Sequence, residues 1–191
     1  RRFGIKDSTL EKFGVFSVRS VFRNGEIHLR ATKENPIFAY QFPSGNVKLY
    51  RPLASKKYKW YGNASTEDIA GLLQLPKTGK LVLITKSTKD VMCLYEHGIP
   101  AISFNGEASG IGKSENTAVT DVIENLKRRF TYVVTLYDSD TAGFAAASKL
   151  EERYGLPSAF LHTSKDYSDL ILKRNAKAFS VLKRRIAKAL C

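Results

Sequence analysis

Residues 132–143 read YVVTLYDSDTAG, and how this stretch folds decides the architecture of the chain. Tyr132, Val133, Val134, Thr135, Leu136 and Tyr137 are aromatic, β-branched or aliphatic, and none is charged. A short apolar run bounded by turn signals reads as a strand buried on both faces. It ends in two carboxylates, Asp138 and Asp140, and Thr141, Ala142 and Gly143 lead into an expected helix over 144–154. In open α/β sheets ligands bind outside the carboxyl ends of the strands, so both acids are expected at a binding edge. Two carboxylates this close repel unless a cation lies between them, and oxygen-only ligands suit Mg²⁺ or Mn²⁺. The spacing leaves a second reading open, in which one Asp caps the next helix beside a solvated neighbour.

Upstream, 81–85 and 101–104 are two further apolar runs, separated by an expected helix over 90–97 with Val91, Leu94 and Tyr95 inward. A Gly-rich loop over 105–113 precedes an expected helix over 114–130, with Ala118, Val122, Leu126 and Phe130 at helical spacing. Downstream, Gly155-Leu156-Pro157 precedes an expected fourth strand over 158–161. This alternation predicts a four-stranded parallel sheet with right-handed crossovers. Lys165-Asp166-Tyr167-Ser168-Asp169 then adds two carboxylates, Asp166 and Asp169, at the same sheet edge. A last helix over 176–190 sets Phe179, Leu182, Ile186 and Leu190 against Lys183, Arg184, Arg185 and Lys188.

The first part of the chain has another period. Ser8-Thr9-Leu10-Glu11 has capping-box spacing and predicts a short helix to Phe13. Runs 15–22 and 27–30 flank Asn24-Gly25, a hairpin signal. Runs 37–42 and 47–50 flank Pro43-Ser44-Gly45-Asn46, and 57–61 reads as a further strand. The expectation is an antiparallel meander of about five strands, then a helix over 66–75 and a linker over 76–80. The fold class is α+β: a basic β-rich unit over 1–78, an α/β unit over 79–170 and a basic helix over 171–191.

Tyr50 and Arg51, then Lys56-Lys57-Tyr58-Lys59-Trp60-Tyr61-Gly62-Asn63, alternate cations with aromatics. Cations neutralise phosphates and aromatic faces stack on bases. The alternative is an amphipathic strand with Tyr58 and Trp60 in the core and Lys57 and Lys59 in water. The net charge of +13 is unevenly spread: +9 over 1–80, −2 over 81–163 and +6 over 164–191. Basic flanks around an acidic centre point to a polyanion with a cation held at its binding place.

No apolar run reaches the length of a membrane span, and Arg1-Arg2-Phe3-Gly4-Ile5 contains no signal core. Cys93 and Cys191 form neither a zinc pair nor a disulfide framework, so a reducing, intracellular compartment is expected. The abrupt start is expected of a piece of a longer protein.

The D-x-D-x-A-G run from Asp138 to Gly143, the K-D-x-x-D run from Lys165 to Asp169, and the basic β-rich unit before them resemble the TOPRIM-containing catalytic core of DnaG-like bacterial and phage primases. The resemblance covers nearly the whole chain. It implies ribonucleotide joining on a single-stranded DNA template, using ribonucleoside triphosphates and Mg²⁺ or Mn²⁺, in the cytoplasm of a bacterial or phage-infected host. It implies metal binding by Asp138, Asp140, Asp166 and Asp169. It gives Arg51, Lys56, Lys57, Lys59, Trp60 and Asn63 the family's groove for template and nucleotide. The family's zinc module and helicase-binding domain are absent, so a replicative helicase would be reached through segments outside this chain.

One departure stands out. After the first strand the family has Glu-Gly-x-x-Asp, whereas this chain has Lys86-Ser87-Thr88-Lys89-Asp90. Asp90 is retained and Lys86 takes the place of the catalytic Glu. Glu107, in the loop after the second strand, is the acid expected to serve instead, with Lys86 and Lys89 contacting phosphates. A nuclease of the same fold would use these acids without the groove. A nucleic-acid-binding module with a degenerate site would follow from Lys86. A haloacid-type phosphatase fits poorly, because Ala142 stands where its motif needs Thr and the motif lies on the third strand.

Overall fold

The computed structural model describes residues 3–105 and 117–191. The chain is α+β, with an antiparallel β-rich part and a parallel sheet covered by helices on both faces. The parallel sheet has the order β8–β7–β9, with β7 (Gly79–Thr85) between β8 (Ala101–Ser103) and β9 (Phe130–Leu136). Successive residues of these strands point to opposite faces. Leu83, Val134 and Leu136 therefore enter one core with α2 (Thr88–Glu96), α5 (Tyr167–Arg174) and α6 (Ala178–Ala189). Val82, Ile84, Val133 and Tyr137 enter the other with α3 (Thr117–Arg129) and α4 (Thr141–Tyr154). Val82, Leu83 and Ile84 have no exposed surface, which is why β7 reads as an unbroken apolar run.

The fourth strand is reduced to a single bridge. Thr135 donates to the Pro157 carbonyl at 2.9 Å and accepts from the Ala159 N–H at 2.8 Å, and no ladder follows. Pro157 has no N–H to offer, and a turn closed by Ser164 N–H on the Leu161 carbonyl bends the chain away. Ala159 and Leu161 are still buried. The parallel sheet thus has three strands where four are expected.

The β-rich part is a four-stranded sheet of order β1–β4–β5–β6 plus a β2–β3 ribbon. The expected 15–22 strand divides into β1 (Val15–Val18), paired with β4 (Ile37–Gln41), and β2 (Ser20–Arg23), paired with β3 (Glu26–Arg30) across the Asn24-Gly25 turn. β5 (Val47–Tyr50) joins β4 to β6 (Trp60–Gly62). Residues 57–61 are not one strand, because a 3₁₀ turn over Lys56–Tyr58 precedes β6. Tyr58 and Trp60 do not enter the core; they are 57% and 47% exposed. β6 is an edge strand, and Trp60 is not a member of the small Ile37, Ala39 and Leu49 cluster.

The expected helix over 66–75 is also absent. Asp68 accepts from the Ser65 N–H at 2.6 Å, holding the backbone in a local turn instead of a helix. Ala70 then exchanges backbone bonds with Ser103, extending the parallel sheet by an antiparallel bridge. Gly71 (φ 87°) follows, where a Cβ would meet the Ala101 carbonyl oxygen, and only the short turn Leu72–Gln74 is helical. The first helix, α1 (Asp7–Lys12), forms without its expected capping box. Glu96, at the end of α2, accepts from the Lys6 N–H at 2.8 Å and from Thr9 Oγ1 at 2.6 Å, so α1 is anchored from another element. No helix among the described residues is long and apolar enough to cross a membrane.

Candidate functional site

The carboxyl ends of β7 and β9 open into a cleft of about 460 Å³ whose opposite wall is the β4–β5–β6 face. On the sheet side stand Lys86, Lys89, Asp138, Lys165 and Asp166. On the other stand Tyr40, Lys48, Tyr50 and Trp60.

Asp138 follows β9 and is 3% exposed. Its Oδ2 accepts from Lys86 Nζ at 3.0 Å and lies 3.4 Å from Lys165 Nζ. Burial pushes the Asp138 carboxyl up, against the opposing pull of Lys86. The same carboxylate raises the Lys165 ammonium. Asp140 caps α4, its Oδ1 accepting from the Gly143 N–H at 2.9 Å, and its Oδ2 lies 3.6 Å from Lys165 Nζ. That N–H bond holds the Asp140 carboxyl below its usual range. One half of the helix-cap reading therefore applies to Asp140, while Asp138 is buried, not solvated. Gly143 is obligatory here: a Cβ would stand 2.1 Å from the Asp138 carbonyl oxygen.

Asp166 Oδ1 accepts from the Asp169 N–H at 2.7 Å and from Ser168 Oγ at 2.7 Å, starting α5, and its Oδ2 lies 3.8 Å from Lys89 Nζ. Asp169 does not line the cleft. Asp90 is 1% exposed and serves the backbone. Its N–H donates to the Ser87 Oγ N-cap at 3.1 Å, its Oδ2 accepts from the Ser87 hydroxyl at 2.6 Å, and its Oδ1 accepts from the Ser168 N–H at 2.9 Å, pinning α5 to α2. Burial, reinforced by the Asp166 charge, pushes its carboxyl up. Glu107 lies outside the described residues.

Asp138, Asp140 and Asp166 are thus matched by Lys86, Lys165 and Lys89. Among the described residues no three His, Cys, Asp or Glu side chains are grouped to hold a metal ion. The donor chemistry suits a hard cation, but Asp138 Oδ2, both Asp140 oxygens and both Asp166 oxygens are engaged by ammonium, hydroxyl or helix N–H groups. A divalent ion at Asp138 and Asp140 would therefore have to displace the Lys165 ammonium from their Oδ2 atoms.

On the opposite wall Trp60 stacks on Tyr50 at 4.5 Å between centroids, and Lys48 Nζ lies 4.6 Å above its ring. Burial pulls the Lys48 ammonium down, and it donates to Asn105 Oδ1 at 2.6 Å. Tyr40 is pushed up to about 12 by burial and then by Tyr50. Lys56 and Lys57 are exposed, and Lys59 is half-buried; none of the three lines the cleft. Arg51 Nε is buried and has no hydrogen-bond partner among the described residues. Asn63 is structural, accepting from the Val47 N–H at 2.8 Å. Tyr40, Lys48 and Lys165 are among the cleft residues that sequence reasoning left unassigned, and Tyr50 entered only as the start of the aromatic and basic run. Lys165 opens the quoted K-D-x-x-D run, so its signal was present, whereas the shared β5 face of Lys48 and Tyr50 meets Trp60 only through the β5–β6 pairing.

No family model matches the sequence, and no curated protein matches it. Solved structures do match. The primase fragment of the bacteriophage T7 primase-helicase protein superposes with a TM-score of 0.60 and 18% identity, over 98% of this chain and 71% of that one. A bacteriophage T7 structure, in which lagging-strand DNA polymerase interacts with primase domains bound to an RNA/DNA hybrid and dTTP, matches with a TM-score of 0.59 and 18% identity. It covers 97% of this chain and 86% of that one. The expected primase architecture is therefore present as a fold, and this chain is built from end to end on the plan of the T7 primase fragment.

Proposed function

We propose that this chain is the catalytic core of a DNA primase, joining ribonucleotides on single-stranded DNA. The observation that carries the reading is the cleft, in which an aromatic and basic wall faces a lysine and carboxylate edge, in a fold shared with a primase fragment. The exposed part of the Trp60 ring would stack a base, and Arg51, Lys48 and Lys59 would neutralise backbone phosphates. Lys86, Lys89 and Lys165 would hold the triphosphate, as mobile ammonium donors do. The 3′-hydroxyl oxygen attacks the α-phosphorus, the bond to the β-phosphate breaks, and pyrophosphate leaves. The hydroxyl proton passes to a base, for which Glu107 is the candidate. The primase domains bound to an RNA/DNA hybrid and dTTP support the same ligand classes here. A replicative helicase as partner and the cytoplasm of a bacterial or phage-infected cell complete the proposal.

Mg²⁺ or Mn²⁺ at Asp138 and Asp140 remains part of the proposal as a competition, since a metal must take oxygens now held by Lys165. Lys86 itself is no ligand, because an ammonium has no lone pair. One observation favours a second reading, a binding module without catalysis: Lys86 stands in the place of the family's Glu and neutralises Asp138. Template-dependent ribonucleotide incorporation with Mn²⁺ separates the two. Product that is lost in Asp138→Asn and in Glu107→Gln supports the primase. Absence of product with retained DNA binding supports the module.

A further inference from the structure

The cleft leaves one strongly charged surface unexplained. From Leu170 to Cys191 there are seven cations, Lys173, Arg174, Lys177, Lys183, Arg184, Arg185 and Lys188, and no carboxylate. They lie on α5, α6 and the turn between them, and none lines the cleft. α6 buries Ala178, Leu182 and Ile186 against the parallel sheet, with Phe179, Val181 and Ala189 partly covered beside them, and leaves Lys183, Arg184 and Lys188 exposed. Lys177, Arg184 and Lys188 are exposed at spacings of seven and four, so they share one stripe along the helix. Among the described residues none of the seven is in an ion pair. The contacts that exist are weak: Lys173 reaches the Thr163 carbonyl at 3.3 Å, and Lys183 sits over the Phe179 ring.

Helix stability does not account for this stripe. Like charges at spacing four, as Arg184 and Lys188 are, oppose a helix. Lys177 stands at the positive end of the α6 dipole, where a cation is disfavoured. Only Lys188, in the last turn, is placed to the helix's advantage. At the cleft the lysines are paired instead with acids, Lys86 and Lys165 with Asp138, Lys165 also with Asp140, and Lys89 with Asp166. An acid-free cationic stripe about 16 Å long, at 1.5 Å per residue, fits a linear polyanion rather than a compact one.

We infer that the outer face of α5–α6 is a second nucleic-acid site, which holds the sugar–phosphate backbone of single-stranded DNA outside the cleft. This rests on the primase reading for the identity of the strand. Its contribution is electrostatic and independent of sequence, so it prolongs residence on the template without selecting a start site.

The test is equilibrium binding of a labelled oligo(dT) across a salt series, without nucleotide, for the parent chain and for Lys177→Ala/Arg184→Ala/Lys188→Ala. Three lost phosphate contacts lower the magnitude of the salt slope by about 2. Lys177→Gln/Arg184→Gln/Lys188→Gln should lose the same slope, and Arg184→Lys should retain it. An unchanged slope in both triple variants overturns the inference and leaves the primase reading standing. No DNA binding by the parent overturns both. Loss of binding to phosphatidylserine vesicles in the triple variants, with the DNA slope unchanged, also overturns it, in favour of a membrane surface.

Discussion

Nζ of Lys86, one residue past β7, lies 3.0 Å from Oδ2 of Asp138, two residues past β9. The pair spans the centre of the parallel sheet's carboxyl edge, and Lys165 approaches the same oxygen from the β9–α5 side. A divalent ion and an ammonium cannot both own that oxygen. Removing Lys165 should therefore tighten Mn²⁺ binding by about fivefold or more, the effect of losing one nearby positive charge in a wet site. Calorimetric titration of Lys165→Ala with Mn²⁺ measures this, and an unchanged or weaker affinity counts against metal binding at Asp138. Asp138→Asn/Asp140→Asn should abolish whatever binding Lys165→Ala shows.

Lys86→Glu is expected not to raise primer synthesis. The new carboxylate would sit against a buried Asp138 whose proton affinity is already raised, and like charges at this range repel. Glu107→Gln is expected to impair synthesis about as badly as Asp138→Asn. Equal synthesis by Glu107→Gln and the parent would reduce Glu107 to a loop residue.

On the opposite wall, Trp60→Ala should weaken single-stranded DNA or nucleotide binding by about 1–3 kcal/mol, the contribution of one stacked base. The stability of the chain should change little, since Trp60 is 47% exposed. Arg51→Ala/Lys57→Ala/Lys59→Ala should lower the salt slope by about 2. Fluorescence anisotropy with oligo(dT) reads both. Full retention of affinity by Trp60→Ala would remove the stacking role.

Gly143→Ala should damage the site through the backbone. Its Cβ meets the Asp138 carbonyl oxygen and carbonyl carbon, at 2.1 and 2.9 Å, so α4 must shift away from β9. Overpacking of this kind costs about 1–3 kcal/mol. Thermal unfolding should show that loss, together with weaker Mn²⁺ binding. Parent-like unfolding and titration would contradict the geometry.

Asp90 supplies the pH dependence. Its carboxyl is raised in the folded chain, first by burial and then by Asp166. From the ordinary carboxylate range up to the raised one, the folded state binds more protons at this group than the unfolded state does. The contribution of Asp90 to stability therefore falls as pH rises through that window. Asp90→Asn keeps an acceptor for the Ser168 N–H but does not titrate. Its stability relative to the parent should increase across the window and level off above it. Denaturant unfolding at a series of pH values gives the difference, and a difference independent of pH would show that Asp90 is not perturbed.

The parts of this fold that were legible in the sequence are those set by local pattern. The apolar run over 132–137 forms β9 and its continuation, buried from Val133 onward with Tyr132 39% exposed, and the Asp138–Gly143 run turns from it into a helix. The four-strand count failed because Pro157 and the turn at Ser164 shorten pairing that periodicity alone would extend. The helix over 66–75 failed because Asp68 found partners far away in sequence, Ser44 and Asn46, which no window of residues contains. Trp60 was legible as a ligand-facing aromatic, but Lys48 was not, because its place over that ring depends on the β5–β6 pairing. The lysine partners of Asp138 come from 52 and 27 residues away, so the acid motif was visible and its neutralisation was not.

Asp68 gives the cleft its gauge. Its two oxygens bind the 43–46 turn of the β-rich sheet and the backbone of Ser65. Two residues on, Ala70 is bonded to the edge of the parallel sheet. Asn105 closes the frame, donating to the Ser65 carbonyl and accepting from Lys48. The segment joining the two sheets is thus a crossbar fastened at both ends, not a hinge. These bonds set the spacing between the Trp60 wall and the Lys86 edge, so a ligand entering the cleft would meet an opening that is already formed.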